Sequence, residues 1–140
     1  MRKLSLALLA VLASASFSVH ADPASAQKLA DKYAQIANNI DVMYERLSPE
    51  DGKKFFNRKI TFKGEQIACA SCHTANPANT GKNMVTGKAI KPLAPSANPK
   101  RFADIDKVEK NFEKHCLEVI GRDCTAAEKG NFIAYLLTVK

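Results

Sequence analysis

The segment CASCH, Cys69–His73, has the strongest structural consequence of any stretch in the chain. Cys-x-x-Cys-His is the attachment motif of c-type haem. Its two thiols stand three positions apart and can reach the two vinyl groups on one edge of a porphyrin, and the adjoining imidazole then points at the iron as the proximal ligand. The sequence therefore predicts one covalently bound haem c, attached through Cys69 and Cys72, with His73 as an iron ligand.

Two other uses of the Cys69 and Cys72 pair remain open at this point. A thioredoxin-like redox dithiol normally lies beside a βαβ unit, and no such pattern surrounds this pair. A structural zinc site would take Cys116 and Cys124 as its other two ligands. The spacing between those two cysteines fits structural zinc sites poorly, so both alternatives are less favoured than haem.

The first 21 residues have the pattern of a secretory signal peptide. Arg2 and Lys3 precede a short apolar core at 4–11, and the small-residue segment ends in VHA at 19–21. The apolar core is too short to span a bilayer, although an uncleaved anchor is the alternative. Cleavage leaves one predicted cytochrome c domain, residues 22–140, in the periplasm, where disulfides persist.

The charge of the chain favours acidic partners. The formal net charge is +7 and falls to about +5 when Arg2 and Lys3 are removed with the leader. Basic residues are spread along the chain without interleaved aromatic residues, so no nucleic acid partner is expected. In the proline-rich loop, Arg101 or Lys88 can pair with a haem propionate, or the loop is simply basic and solvated.

Apolar residues recur at helical spacing and predict an all-α fold with long loops. Gly52 and the aromatic pair at 55–56, together with the last helix, resemble the crossing helix pair of class I cytochromes c. The predicted elements are a helix over 25–47 capped by Ser25, a short helix after Ser48, a hairpin or loop over 59–67, a loop over 76–99, a helix over 104–117 and a last helix that opens with the capping box at 125–128.

An iron bound by His73 has a second axial position to fill, and the processed chain offers three candidates. Met43 lies on the apolar stripe of the predicted first helix and is expected to fill the core. Met84 lies in a loop eleven residues after His73 and remains an alternative ligand. His115 is favoured, because cleavage removes His20 and leaves it as the only spare histidine.

The stretch KHCLEVIGRDC, at 114–124, contains the remaining cysteines. In an exported protein, Cys116 and Cys124 are predicted to form a disulfide that closes a loop of about nine residues and stabilises the fold by about 2–3 kcal/mol. This bridge would tie the helix that carries His115 to the last helix. We therefore expect it to restrict the movement of the second iron ligand.

Beyond CASCH, two longer segments carry a family resemblance, TGKAIKPLAPSANPKRFADIDKVEK at 86–110 and VIGRDCTAAEK at 119–129. From about residue 69 to the C terminus, the chain resembles the sphaeroides haem protein family, small oxygen-binding monohaem c-type cytochromes of bacteria. The resemblance implies a cytochrome c fold and a disulfide between Cys116 and Cys124. It also implies a dihaem cytochrome c and a membrane cytochrome b as partners. The predicted fold is thus class I cytochrome c-like, with an extra N-terminal helix.

The chain departs from the family pattern at the distal ligand. Family members have an asparagine directly before the first disulfide cysteine, and it leaves the reduced iron and opens a site for O2, NO or similar ligands. His115 occupies that place here. Imidazole holds iron more firmly than the carboxamide of an asparagine does, so the sequence predicts a bis-histidine haem. Because such a haem lacks a methionine ligand, a fairly low-potential electron carrier is expected. The alternative is a haem protein that binds or converts O2 or NO after His115 dissociates on reduction.

Overall fold

The computed structural model describes residues 23–140, and the predicted signal peptide at 1–21 lies outside this range. The described chain is mostly helical, as predicted, with two small antiparallel hairpins. None of its helices is long and apolar enough to cross a bilayer. The elements are α1 Pro23–Ile40, α2 Pro49–Asn57, β1 Ile60–Phe62, β2 Glu65–Ile67, α3 Cys69–His73, β3 Gly81–Lys82, β4 Ala89–Ile90, α4 Ile105–Ile120 and α5 Ala126–Thr138.

Three helices begin at the capping residues that the sequence indicates. The side chains of Ser48, Asp104 and Thr125 each accept a hydrogen bond from the backbone N–H three residues further on. Glu128 completes the capping box, because its carboxylate accepts the backbone N–H of Thr125 at 2.9 Å. These bonds satisfy backbone donors that the first helical turn leaves free, which fixes where α2, α4 and α5 start.

The first helix differs from its prediction at both ends. It begins at Pro23 instead of being capped by Ser25, and it ends at Ile40 instead of continuing to residue 47. The Asp41 side chain accepts the backbone N–H of Met43 at 2.9 Å, and this local turn competes with the helix. Met43 is 81% exposed, so the prediction that it fills the core is wrong.

The core forms where α5 packs against α1 and α2. Gly52 on α2 lies against the backbone of Asn131, and a Cβ at position 52 would overlap the Asn131 carbonyl oxygen. Phe56 stacks on Phe132 with ring centroids 5.7 Å apart. The predicted glycine-mediated crossing is therefore confirmed. The buried cluster comprises Ala26, Leu29, Ala30, Tyr33, Phe56, Phe102, Val108, Ile133, Tyr135 and Leu136.

The long segment between α3 and α4 is largely irregular, as predicted, but its own hydrogen bonds order it. The Pro77 carbonyl accepts the backbone N–H groups of Leu93 and Ala94 at 2.8 and 3.0 Å. The Arg101 guanidinium donates to the Pro92 carbonyl oxygen from both Nε and an Nη. The segment also contains the short β3–β4 hairpin, which the sequence pattern did not predict.

Candidate haem-binding site

The two free thiols of the site lie on α3, a single short helix. Ser71 orders the start of this helix by accepting the Ala68 backbone N–H on its hydroxyl at 3.0 Å. Cys69 and Cys72 are unpaired and partly buried, and residues three positions apart lie on one helix face. Their placement fits two thioether links to one edge of a porphyrin. His73 is the last residue of the helix, directly after the second thiol.

The chain turns sharply after His73, and strand β3 then packs against the end of α3. Thr74 has a φ of +62°, which lies in the left-handed region that non-glycine residues rarely adopt. The β3 strand then comes back so closely that a Cβ on Gly81 would overlap the Cys72 carbonyl oxygen. Only glycine permits this approach. The resulting contact holds the backbone of the predicted attachment motif in place.

Burial sets the protonation of the site residues. It raises the pKa of the Cys69 thiol to about 11, so this cysteine lacks the low-pKa thiolate that redox dithiols use. Burial, followed by repulsion from His115 and Arg101, lowers the pKa of His73 to about 4. His73 is therefore a neutral imidazole at physiological pH, the form that binds metals.

The two histidines predicted as iron ligands are brought together. The ring centroids of His73 and His115 are 6.4 Å apart, and the ring planes lie at 83° to each other. Imidazole nitrogens bind transition metals at about 2 Å, so two rings that bind one ion from opposite sides have centroids about 6 Å apart. The observed separation fits an iron atom between them.

His115 has a polar neighbour that can fix its orientation. It lies on α4, and its Nδ1 is 3.2 Å from a carboxylate oxygen of Glu118, one helical turn further on. A carboxylate at Nδ1 favours the tautomer whose Nε2 lone pair is free for a metal. His115 is not a member of the buried cluster of the core.

The predicted disulfide is present. Cys116 and Cys124 are bonded, with Cα atoms 5.6 Å apart, and both residues are buried. The bridge joins the α4 turn next to His115 to the residue before the Thr125 cap of α5. It also removes these two cysteines from any zinc site. Within residues 23–140, no group of three or more His, Cys, Asp or Glu side chains is placed to hold a metal ion.

The geometry favours His115 over the alternative ligand Met84. The His115 ring lies 6.4 Å from the His73 ring, whereas Met84 lies in the turn of the β3–β4 hairpin. The sequence interpretation missed Glu118, although a histidine and a glutamate three positions apart on a predicted helix indicate such a contact. The sequence interpretation also missed the hydrogen bonds from Arg101 to the carbonyl oxygens of Lys91 and Pro92. These bonds depend on the conformation of the loop, which the sequence pattern does not show.

Comparisons with known proteins give a consistent result. Residues 43–136 match the family described as Domain of unknown function (DUF1924). Cytochrome c'' of Methylophilus methylotrophus is 61% identical over 125 residues, which cover 87% of each chain. The cytochrome c-type protein SHP of Cereibacter sphaeroides is 41% identical over 93 residues, which cover 64% of this chain and 71% of that protein.

Solved structures of these two relatives share the fold. The crystal structure of oxidised cytochrome c'' has a TM-score of 0.81 at 60% identity and covers 85% of this chain and 98% of its own. A solution structure of the same cytochrome, concerned with haem-ligand detachment, has a TM-score of 0.76 at 60% identity and covers 84% and 95%. Oxidised SHP, an oxygen binding cytochrome c, has a TM-score of 0.70 at 38% identity and covers 82% and 95%.

Proposed function

The chain belongs to the DUF1924 family and is a monohaem c-type cytochrome with covalently bound haem c, and from this premise we propose that it is a periplasmic electron carrier with bis-histidine iron. The observation that carries the proposal is the 6.4 Å separation of the His73 and His115 rings. Two strong-field imidazole ligands suit a carrier, because they leave no open position for a substrate.

The residues of the site have separate roles in this proposal. Cys69 and Cys72 would hold the haem through thioether bonds, and His73 would bind the iron from the same short helix. His115 would supply the second imidazole ligand of the iron, and Glu118 would orient its ring through Nδ1. The haem supplies a one-electron iron couple. Lacking a methionine ligand, it is expected to have a fairly low reduction potential.

Arg101 is suited to hold a carboxylate of the haem. Its side chain is partly buried and donates to the carbonyl oxygens of Lys91 and Pro92, and burial lowers its pKa. No Asp or Glu among residues 23–140 forms an ion pair with it, so a partly buried positive charge lacks a protein counter-ion. Its field reaches His73, whose pKa it helps to lower. A haem propionate is the anion that would satisfy it.

Arg101 also offers a direct test of this assignment. Arg101→Gln should lower the midpoint potential, because losing a nearby positive charge favours the ferric state. Lys100→Gln removes the same charge from an exposed neighbouring side chain and is the matched control. Equal potentials for the two variants would contradict the role of Arg101.

Carbon monoxide added to the dithionite-reduced protein tests the carrier function. Bound histidines on both faces leave no vacant position, so carbon monoxide should change the spectrum at neutral pH only slowly. A rapid spectral change would refute the pure carrier and favour the second function. Its positive control is His115→Ala, which should bind carbon monoxide at once if His115 is the distal ligand.

The second candidate function is binding or conversion of O2 or NO after His115 leaves the reduced iron. The position of His115 outside the buried cluster favours it, since the side chain can move away without displacing a core residue. The relatives also favour it: the cytochrome c'' solution structure concerns haem-ligand detachment, and SHP is an oxygen binding cytochrome c. Carbon monoxide separates this function from simple electron transfer.

The location and partners follow from the same premise. Export by residues 1–21 would bring the protein to the periplasm, where its disulfide is stable. The resemblance to SHP-type proteins points to a dihaem cytochrome c and a membrane cytochrome b as redox partners. Comparing precursor and mature masses, and locating the protein in cell fractions, would test the export.

A further inference from the structure

An unusually basic segment lies next to the predicted haem site. Residues 66–103 contain no Asp or Glu, whereas they contain five Lys or Arg side chains: Lys82, Lys88, Lys91, Lys100 and Arg101. The four lysines are exposed. A solvated loop needs no such bias, because acidic residues keep a loop soluble at least as well as basic ones. The bias therefore points to a surface that attracts negative charge.

Two of these lysines flank a pair of exposed apolar residues. The β3–β4 hairpin, residues 81–90, has Lys82 on β3 and Lys88 directly before β4. Between them, Met84 and Val85 are 58% and 94% exposed. An apolar centre with a charged rim is the usual composition of a protein–protein contact surface. We call residues 82–88 the basic hairpin tip.

The basic hairpin tip is ordered in the free protein. The Asn83 side chain accepts the backbone N–H groups of Val85 and Thr86 at 2.9 and 2.8 Å. The backbone N–H of Asn83 donates to the Lys88 carbonyl oxygen at 2.8 Å. A preorganised surface loses less entropy on binding than a mobile loop, which favours binding of a partner at this tip.

The hairpin also lies against the helix that carries the attachment motif. Gly81, where β3 begins, packs directly on the Cys72 carbonyl and lies next to the backbone of His73. The basic hairpin tip therefore continues from backbone that contacts the proximal side of the site. A protein bound at this tip would lie close to the haem, as electron transfer requires.

We propose that the basic hairpin tip is the docking surface for an acidic electron-transfer protein. Lys82 and Lys88 steer the partner by charge, and Met84 and Val85 make the close contact. The inference rests on the proposed electron-transfer function and specifies the site and the chemistry of its partner. A small, charge-steered contact of this kind is typical of transient redox encounters.

Stopped-flow reduction of the ferric holoprotein by an acidic plant-type ferredoxin tests the proposal. The double variant Lys82→Glu/Lys88→Glu should lower the second-order rate constant about tenfold or more at an ionic strength of about 10 mM. The difference should shrink severalfold at about 0.5 M, because salt screens exposed charges. The matched control is Lys28→Glu/Lys53→Glu, which makes the same charge change on exposed sites of α1 and α2 and should alter the rate less than about threefold.

Two further measurements keep the outcomes distinct. Val85→Ser leaves the charge unchanged and should still slow the reaction at high salt. Reduced methyl viologen, a small cationic reductant, reports whether the haem accepts electrons without docking. If viologen reduces every variant but both charge-reversal pairs slow ferredoxin equally, the docking surface is refuted and the carrier function stands. If neither reagent reduces the wild-type protein, both proposals are wrong.

Discussion

Breaking the Cys116–Cys124 disulfide should destabilise the fold and loosen His115. The bridge joins residues eight positions apart and closes a loop of about nine residues. In the chain-entropy description, such a loop restricts the unfolded chain by about 2–3 kcal/mol. Reduction with dithiothreitol, which leaves thioether bonds intact, should lower the free energy of unfolding by this amount without removing any side chain.

Urea unfolding of the oxidised and reduced holoprotein measures this change. The double variant Cys116→Ala/Cys124→Ala should show at least the same loss, because it also removes two buried sulfur atoms. A loss below about 0.5 kcal/mol after reduction would show that the bridge does not restrain the unfolded chain as described.

The effect on His115 is measured separately, by the rate of carbon monoxide binding to the ferrous protein. His115 directly precedes Cys116, so losing the bridge frees the end of α4 on which the ring depends. The loop entropy of the bridge acts on the unfolded chain and does not set this rate. The rate should rise because the freed end of α4 lets the His115 ring leave the iron more often. Equal carbon monoxide rates with and without the bridge would refute the idea that it restrains His115.

Two further changes test how the helices are held. Burial opposes ionisation of Glu128, but hydrogen bonds from Arg122 and the Thr125 backbone N–H, with Arg58, outweigh it and lower its pKa to about 2. Solvent screens this partly exposed carboxylate, so Glu128→Gln should lower the free energy of unfolding at pH 7 by only about 1–2 kcal/mol. Urea titrations should show this difference disappearing as the pH falls from about 4.5 to about 2, and a difference that does not depend on pH would contradict the assignment. Gly52→Ala should lower the free energy of unfolding by about 2–4 kcal/mol, because its methyl group would overlap the backbone of α5. Lys53→Ala, at an exposed position, should be nearly neutral. Equal unfolding free energies for the two variants would contradict the close crossing.

The predictions from sequence succeeded where short-range chemistry decides the structure. Caps at Ser48, Asp104 and Thr125 follow from side-chain hydrogen bonds within one turn, and all three are confirmed. The disulfide between Cys116 and Cys124 is likewise confirmed, and so are the family and the covalent haem c.

The predictions failed where tertiary contacts or competing turns decide. The apolar pattern of the first helix continues past Ile40, but the turn at Asp41 ends the helix and leaves Met43 in solvent. The β3–β4 hairpin could not be predicted from the sequence pattern, because its strands are only two residues long. The close contact of Gly81 with α3 is a tertiary contact, which the pattern does not show either. The separation of the His73 and His115 rings also depends on packing between elements that are distant in sequence.

The central claim is that imidazole nitrogens of His73 and His115 bind the iron from opposite faces. Electron paramagnetic resonance of the ferric holoprotein at neutral pH tests it most directly. Ring planes at 83° leave two iron d orbitals nearly equal in energy, which predicts a low-spin species with one strongly anisotropic signal. A predominantly high-spin signal from the wild-type protein, or an unchanged low-spin signal in His115→Ala, would contradict the claim.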